Sequence, residues 1–289
     1  MKVEQLNEGV LCQLKVSRWG AYTKLSKDKL GPDVPSEIVR GVQDLVDDRT
    51  IIDDLLAVKR ATKRELLNSS MPFPVDGVFW VPKHKIEYLD KVFTELKAEY
   101  AELTDKLVKK MGSLKRSFKT KYPEYYDETN YPSADSIRAK HDFFWRFFQF
   151  QLPDKDAGIL TASMYKRERE KFQSMANEME MMAVNIIGST LLARIEKLKE
   201  QCDNDKINAG TINALDKFLG KWDDLWKDNI DGKKMKSIMR SLRIQMKKTS
   251  ADKLRNSEDF RGEVSKKMEK IAKQIKAVPD FKVKRKLDV

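Results

Sequence analysis

The 289-residue sequence predicts a mainly α protein, with long, coiled-coil-like helices forming a helical hairpin and a small β element near the N-terminus. Three observations predict it. Only 12 glycines and 9 prolines interrupt the chain, so long uninterrupted elements fit better than a strand-and-turn architecture. Hydrophobic residues make up 40%, enough for a core, while charged residues reach 35%, well above the quarter of an ordinary globular domain. After Pro82, apolar residues recur at Ile86, Leu89, Phe93, Leu96, Tyr100, Leu103, Leu107, Met111, Leu114 and Phe118. Their steps of three and four make a heptad seam with one irregularity, between Leu107 and Met111.

The elements follow in chain order. Residues 10–16 alternate, with Val10, Cys12, Leu14 and Val16 on one side, which is a strand pattern. Ile51 to Leu67 reads as a helix entered through Asp47, Asp48 and Thr50. Asn68 to Pro74 reads as a loop, with Pro72 and Pro74. Val78-Phe79-Trp80-Val81, between Asp76-Gly77 and Pro82, is a second strand-like run that can pair with the first. The long helix spans 83–121, about 55 Å at 1.5 Å per residue, and ends before Pro123. Its narrow stripe needs a partner helix, in the same chain or in another copy.

Ser133 is the expected N-cap of the next helix, which is expected to run through the aromatic cluster Phe143, Phe144, Trp145, Phe147, Phe148 and Phe150 and close at Pro153. A helix aromatic on most sides is buried on most sides. Ala157 to Cys202 reads as a second long helix that Gly188 weakens or bends, ending at Asp203-Asn204-Asp205. Shorter helices are expected at 208–228, 233–248 and 250–277. The organisation is thus an N-terminal α+β part over 1–152, a helical part over 153–278 with basic C-terminal helices, and a disordered basic tail over 279–289.

Cys12 and Cys202 are the only cysteines, which argues against a disulfide framework or a zinc site and for a reducing compartment. The N-terminal residues carry acidic groups where a signal peptide needs a clean apolar stretch. The apolar run Met181 to Ala193 is short of the roughly 20 residues that cross a bilayer. The expected location is cytoplasmic.

Nucleophilic triads and metal sites draw on histidine, and only His84 and His141 are present. The chain holds no H-E-x-x-H, G-x-S-x-G, Walker A or G-x-G-x-x-G motif. Asp203, Asp205 and Gly210 imitate part of a calcium loop, but Ile207 stands where an oxygen ligand belongs. No catalytic residue, cofactor or metal ligand is assigned, and no small-molecule substrate is evident.

Charge carries the strongest functional hint. Net charge is +12, and from Lys233 to the C-terminus 19 Lys and Arg face 7 Asp and Glu, the whole of the excess. Within 233–248, Met235, Ile238, Met239, Leu242 and Met246 form an apolar stripe, and Lys233, Lys234, Lys236, Arg240, Arg243, Lys247 and Lys248 cover the rest. Three readings compete. The cations can track a nucleic-acid backbone without reading its sequence. The stripe can enter a membrane surface or a partner's groove. Or the stripe joins the core and the cations face solvent. Lys284, Arg285 and Lys286 continue the charge into the tail and are assigned to the same anionic-partner face. Leu89, Phe93, Leu96, Tyr100, Leu103 and Leu107 are assigned to an assembly seam.

The order of these features carries a resemblance. A hydrophobic strand leads to Trp19 and the turn TKLSKDKLG, and FPVDGVFWVP precedes the long helix. An aromatic segment, SADSIRAKHDFFWRFFQFQLP, closes the half. Over residues 8–155 this resembles a family of bacteria and their phages catalogued as domain of unknown function 3150. Genes of that family often lie beside MoxR-type AAA+ ATPases and von Willebrand factor A proteins. The resemblance therefore implies a bacterial or phage-infected cell, and a role beside such a machine as adaptor, substrate-presenting subunit or scaffold. It implies no catalytic residues.

The expectation is a non-enzymatic interaction protein that assembles through its long helices and meets an acidic partner through its basic C-terminal region. A sequence-independent nucleic-acid-binding protein is the alternative. A membrane-active protein built around Met181 to Ala193 ranks third.

Overall fold

The computed structural model describes residues 6–25, 41–149, 151, 159–230 and 232–278. The expected tail over 279–289, with Lys284, Arg285 and Lys286, lies outside the described residues, as do Phe150, Pro153 and most of the Lys/Leu-rich turn. The chain is mainly α with a small β component. One sheet has four strands in the order β4 (Met71–Pro72), β5 (Val78–Pro82), β1 (Gly9–Val16), β6 (Phe143–Phe148). A second, antiparallel, pairs β2 (Tyr22–Lys24) with β3 (Val42–Asp44), Tyr22 opposite Asp44.

By contacts the chain divides into two units that do not follow sequence order. One comprises Cys12–Leu67 and His84–Phe147; the other comprises Met1–Leu11, Asn68–Lys83 and Phe148–Val289.

In the first unit, α1 (Thr50–Ser69) and α2 (Lys83–Lys121) form an antiparallel hairpin. Asp48 accepts hydrogen bonds from the Thr50 N–H (2.9 Å) and hydroxyl (2.6 Å), satisfying a donor that the first turn leaves free. At one end of the hairpin the Tyr88 hydroxyl donates to Glu65 at 3.0 Å. At the other, Asp47 accepts from Ser117 at 2.7 Å and from Lys121. Ile52, Leu55, Val58 and Leu66 of α1 are buried, and the buried line of α2 runs Leu89, Phe93, Tyr100, Thr104, Leu107, Met111, Leu114, Phe118. Ahead of the heptad irregularity, Thr104 takes the buried position in place of Leu103, and its hydroxyl donates to the Tyr100 carbonyl at 2.8 Å.

α3 (Ala134–Lys140) begins where expected: Ser133 caps it, accepting from the Ser136 N–H at 3.2 Å. It then stops. The aromatic run expected to continue this helix is strand β6 instead, beside β1 in the sheet. The Ser17 N–H donates to the Asp142 carbonyl at 2.8 Å, so pairing begins at the residue before it. A run of large aromatics satisfies the pleated, half-buried surface of a sheet as readily as a core helix. The strand is not enclosed on all sides, for Phe143 is buried while Phe148 remains 37% exposed.

In the second unit, the expected loop 68–74 contains strand β4, antiparallel to β5 with Met71 opposite Trp80. Pro72 lacks a donor, but β4 is an edge strand, where one is not needed. Trp80 is buried, and its indole N–H donates to the Leu6 carbonyl at 3.0 Å. α4 (Ala162–Asp203) runs unbroken through Gly188. α5 (Ala209–Lys221) continues as a π-helical turn over Trp222–Trp226, with the Lys227 N–H reaching the Trp222 carbonyl at 2.9 Å. α6 (Lys233–Met246), α7 (Ala251–Asn256) and α8 (Glu258–Lys276) complete the chain. The single helix expected over 250–277 is two, because Ser250 caps one and Ser257 caps the next, accepting from Phe260 N–H at 3.2 Å.

α4 and α8 pack antiparallel. Ser265 donates to Asp203 at 2.6 Å near one end, and Lys276 reaches Glu196 at 3.0 Å towards the other. Ile187, Leu191, Ile195 and Leu198 of α4 share a core with Val264, Met268, Ile271 and Ile275 of α8. The apolar run Met181 to Ala193 thus supplies core residues, and no helix among the described residues is long and apolar enough to cross a membrane.

Candidate anion-binding face

α6 is divided lengthwise. Successive residues turn by 100°, so Met235, Ile238, Met239, Leu242, Gln245 and Met246 fall on one half, and all six are buried. Lys233, Lys234, Lys236, Ser237, Arg240, Ser241 and Ile244 occupy the other half and are exposed, as are Lys247 and Lys248 just past its end. Of the competing readings, the stripe therefore joins the core and is not free to enter a membrane or a groove. What remains outside is a row of positive charge: Lys233, Lys236, Arg240 and Lys247 share one face along roughly 21 Å of axis, with Ile244 at the turn between the last two.

The helix contains no carboxylate. Lys233, Lys234, Lys236, Arg240, Lys247 and Lys248 make no ion pair with a described residue. Arg243 is different. Its guanidinium donates to the Leu219 carbonyl at 3.2 Å and pairs with Asp223, so it ties α6 to α5 and the turn beyond it. On α8 the cations are partly compensated: Lys273 pairs with Glu269 at 2.8 Å and Lys276 with Glu196 at 3.0 Å. Lys266, Lys267 and Lys270 are exposed.

The six residues assigned to an assembly seam lie inside the first unit. Leu89, Phe93, Tyr100 and Leu107 are buried, and Leu96 and Leu103 are half-buried. Phe93 meets Trp145 edge-on at 5.6 Å, and Tyr100 lies 5.7 Å from Phe143. Its partners include residues of the same chain.

Other reactive groups are muted by burial. Burial pushes the Cys12 thiol up to about 12 and Cys202 up to about 11, so both stay protonated and inert at neutral pH. His141, desolvated and facing the charge of Arg18, is lowered to about 4. Its Nδ1 lies 3.0 Å from the Thr104 hydroxyl, while its Nε2 is buried without a partner. Among the described residues no three His, Cys, Asp or Glu side chains are grouped to hold a metal ion. A shallow pocket bordered by Leu6, Gly9, Phe73, Trp80 and Phe172 presents no ionisable group.

One perturbed residue escaped the sequence reading. Lys221 is lowered to about 8, chiefly by burial and then by the nearby charge of Arg194. Its ammonium lies 5.0 Å over the Trp226 ring and 3.4 Å from the Asn68 side-chain oxygen. The π-helical turn makes this arrangement, and no spacing rule for ordinary helices foretells it.

A model of the family described as "Protein of unknown function (DUF3150)" matches residues 6–218. The match reaches past residue 155, where the resemblance in the sequence was expected to end, through α4 and most of α5, and stops before α6. No curated protein and no solved structure matches the chain. With most of its length matched, the chain belongs to the DUF3150 family of proteins of unknown function.

Proposed function

We propose that this protein is a helical interaction protein, not an enzyme, and that the cationic half of α6 holds an acidic protein partner. The observation behind the reading is the uncompensated row itself. A solvated face normally mixes both signs of charge, whereas every exposed charge on α6 is positive and its apolar half is buried. Ile244 favours a protein over nucleic acid. It is 54% exposed in the middle of the row, one turn from Arg240, and a phosphate backbone offers it nothing, whereas an acidic helix with an apolar residue does. The family resemblance supplies the setting, an adaptor or scaffold beside an AAA+ ATPase and a von Willebrand factor A protein.

Fluorescence anisotropy with a labelled Glu/Leu peptide and with mixed-sequence duplex DNA tests this. The full chain binds the peptide at about 0.1 M salt, and both the Lys236→Glu/Arg240→Glu pair and Ile244→Ser weaken it. If nucleic acid is the partner instead, DNA binding weakens with the charge variant alone, with a salt slope near 0.9 per cation engaged. Absence of binding to either probe refutes an anionic partner.

A further inference from the structure

The solvent face of α2 carries a charge pattern that the balanced total outside the C-terminal fifth conceals. From Glu95 to Asp105 the helix holds four carboxylates and one lysine, Lys97, which lies over the Trp145 ring at 5.7 Å. From Lys106 to Lys121 it holds seven cations and no carboxylate. Stepping by 100° puts Glu95, Glu99, Glu102, Lys106, Lys109 and Arg116 within an arc of about 120°. All six are exposed, and none makes a side-chain hydrogen bond or ion pair with a described residue. Neighbouring charges are already engaged: Asp105 with Arg138 at 3.5 Å, Lys115 with Glu128, Lys121 with Asp47, and Lys119 over the Tyr126 ring at 5.1 Å.

A face that is acidic along one half and basic along the other complements a copy of itself laid antiparallel, and clashes with a copy laid parallel. We propose that this face pairs two copies of the chain, antiparallel, about a two-fold axis level with residue 104. In that register Glu102 faces Lys106 and Glu99 faces Lys109. Glu95 faces position 113, the spot that Arg116 covers because helical side chains lean towards the N-terminus. Symmetry repeats each pair. The apolar stripe of α2 is turned inward and buried, so the association is electrostatic and salt-labile. It is independent of α6.

Sedimentation velocity over a concentration series reads this directly. The full chain self-associates at about 0.1 M salt and sediments as a monomer at about 1 M, where the screening length falls from about 10 Å to about 3 Å. Glu95→Lys/Glu99→Lys/Glu102→Lys and Lys106→Glu/Lys109→Glu/Arg116→Glu each raise the dimer Kd at least about tenfold. An equimolar mixture of the two associates again, and so does a chain carrying all six substitutions. Circular dichroism confirms that each variant keeps its helix. A wild-type chain that stays monomeric at low salt overturns the proposal. So do variants that dimerise unchanged, a mixture that fails to associate, or a dimer weakened by Lys236→Glu/Arg240→Glu.

Discussion

Replacing Gly9 with alanine sets a methyl carbon against two neighbours that cannot yield cheaply. The added Cβ lies 2.4 Å from the Val81 carbonyl oxygen and 2.6 Å from the Trp80 ring. Ordinary contact begins about 1 Å farther out, so either β5 backs away from β1 or the indole swings. The first stretches strand pairing. The second breaks the bond from the Trp80 indole to the Leu6 carbonyl at 3.0 Å and uncovers a ring that is 1% exposed. Overpacking costs about 1–3 kcal/mol and a lost buried hydrogen bond about 1 more. The smaller freedom of alanine in the unfolded chain returns about 0.5–1. With the indole displaced, the net expectation is a loss of about 1–3.5 kcal/mol. Gly262→Ala is the paired control: it sits exposed inside α8 with nothing within 4 Å of an added Cβ, so it should gain about 0.5–1 kcal/mol from helix propensity. Urea titrations followed by tryptophan fluorescence measure both. If Gly9→Ala unfolds within about 0.5 kcal/mol of wild type, or if both substitutions move the midpoint the same way, the packing account of the β1–β5 junction is wrong.

Further outcomes follow from buried side chains. Phe93→Ala empties a fully buried site against Trp145 and should cost about 3–5 kcal/mol, with Leu96→Ala costing clearly less because Leu96 is half-buried; equal costs in chemical denaturation would contradict the burial of the seam. Neither thiol should react with a disulfide reagent in the native chain near pH 7.5, since both are held protonated by burial, and prompt labelling of one equivalent refutes this. His141 titrates at about 4 in the fold, below its ordinary 6.5, so the unfolded chain takes up its proton first. Stability should be full above about pH 6.5 and fall as pH drops towards 4. His141→Phe should flatten that segment of the stability–pH curve, and an unchanged slope assigns it to other groups.

Much of the fold was legible because period and punctuation agreed. The helices α1 and α2, the β1 and β5 runs and the Ser133 cap each combine a repeat with a boundary signal. The aromatic run 143–150 failed because FFWRFFQF is apolar at almost every step, leaving no period to separate strand from helix. The split at Ser257 was overridden by a regular apolar repeat, although Ser250 and Ser257 are both capping residues seven positions apart. For the candidate face, the cations and their apolar stripe were readable from spacing. That Arg243 is tied to Asp223, and that the α2 seam is covered within one chain, depend on segments distant in sequence. The acidic stretch Glu95–Asp105 and the basic stretch Lys106–Lys121 of α2 were hidden in a charge total that balances over residues 1–232.

The interleaved order of the two units sets a timetable for synthesis. A ribosome that has released residue 152 has supplied every segment of the Cys12–Leu67/His84–Phe147 unit, but only two short strips of the other. Met71, Phe73 and Trp80 belong to a core completed by α4 and by helices that end near residue 276. At elongation rates of about 5–20 residues per second, those side chains stay uncovered for roughly 6–25 s. A gene truncated at that point should therefore yield a product that sticks to chaperones or to itself, however well its own hairpin has formed.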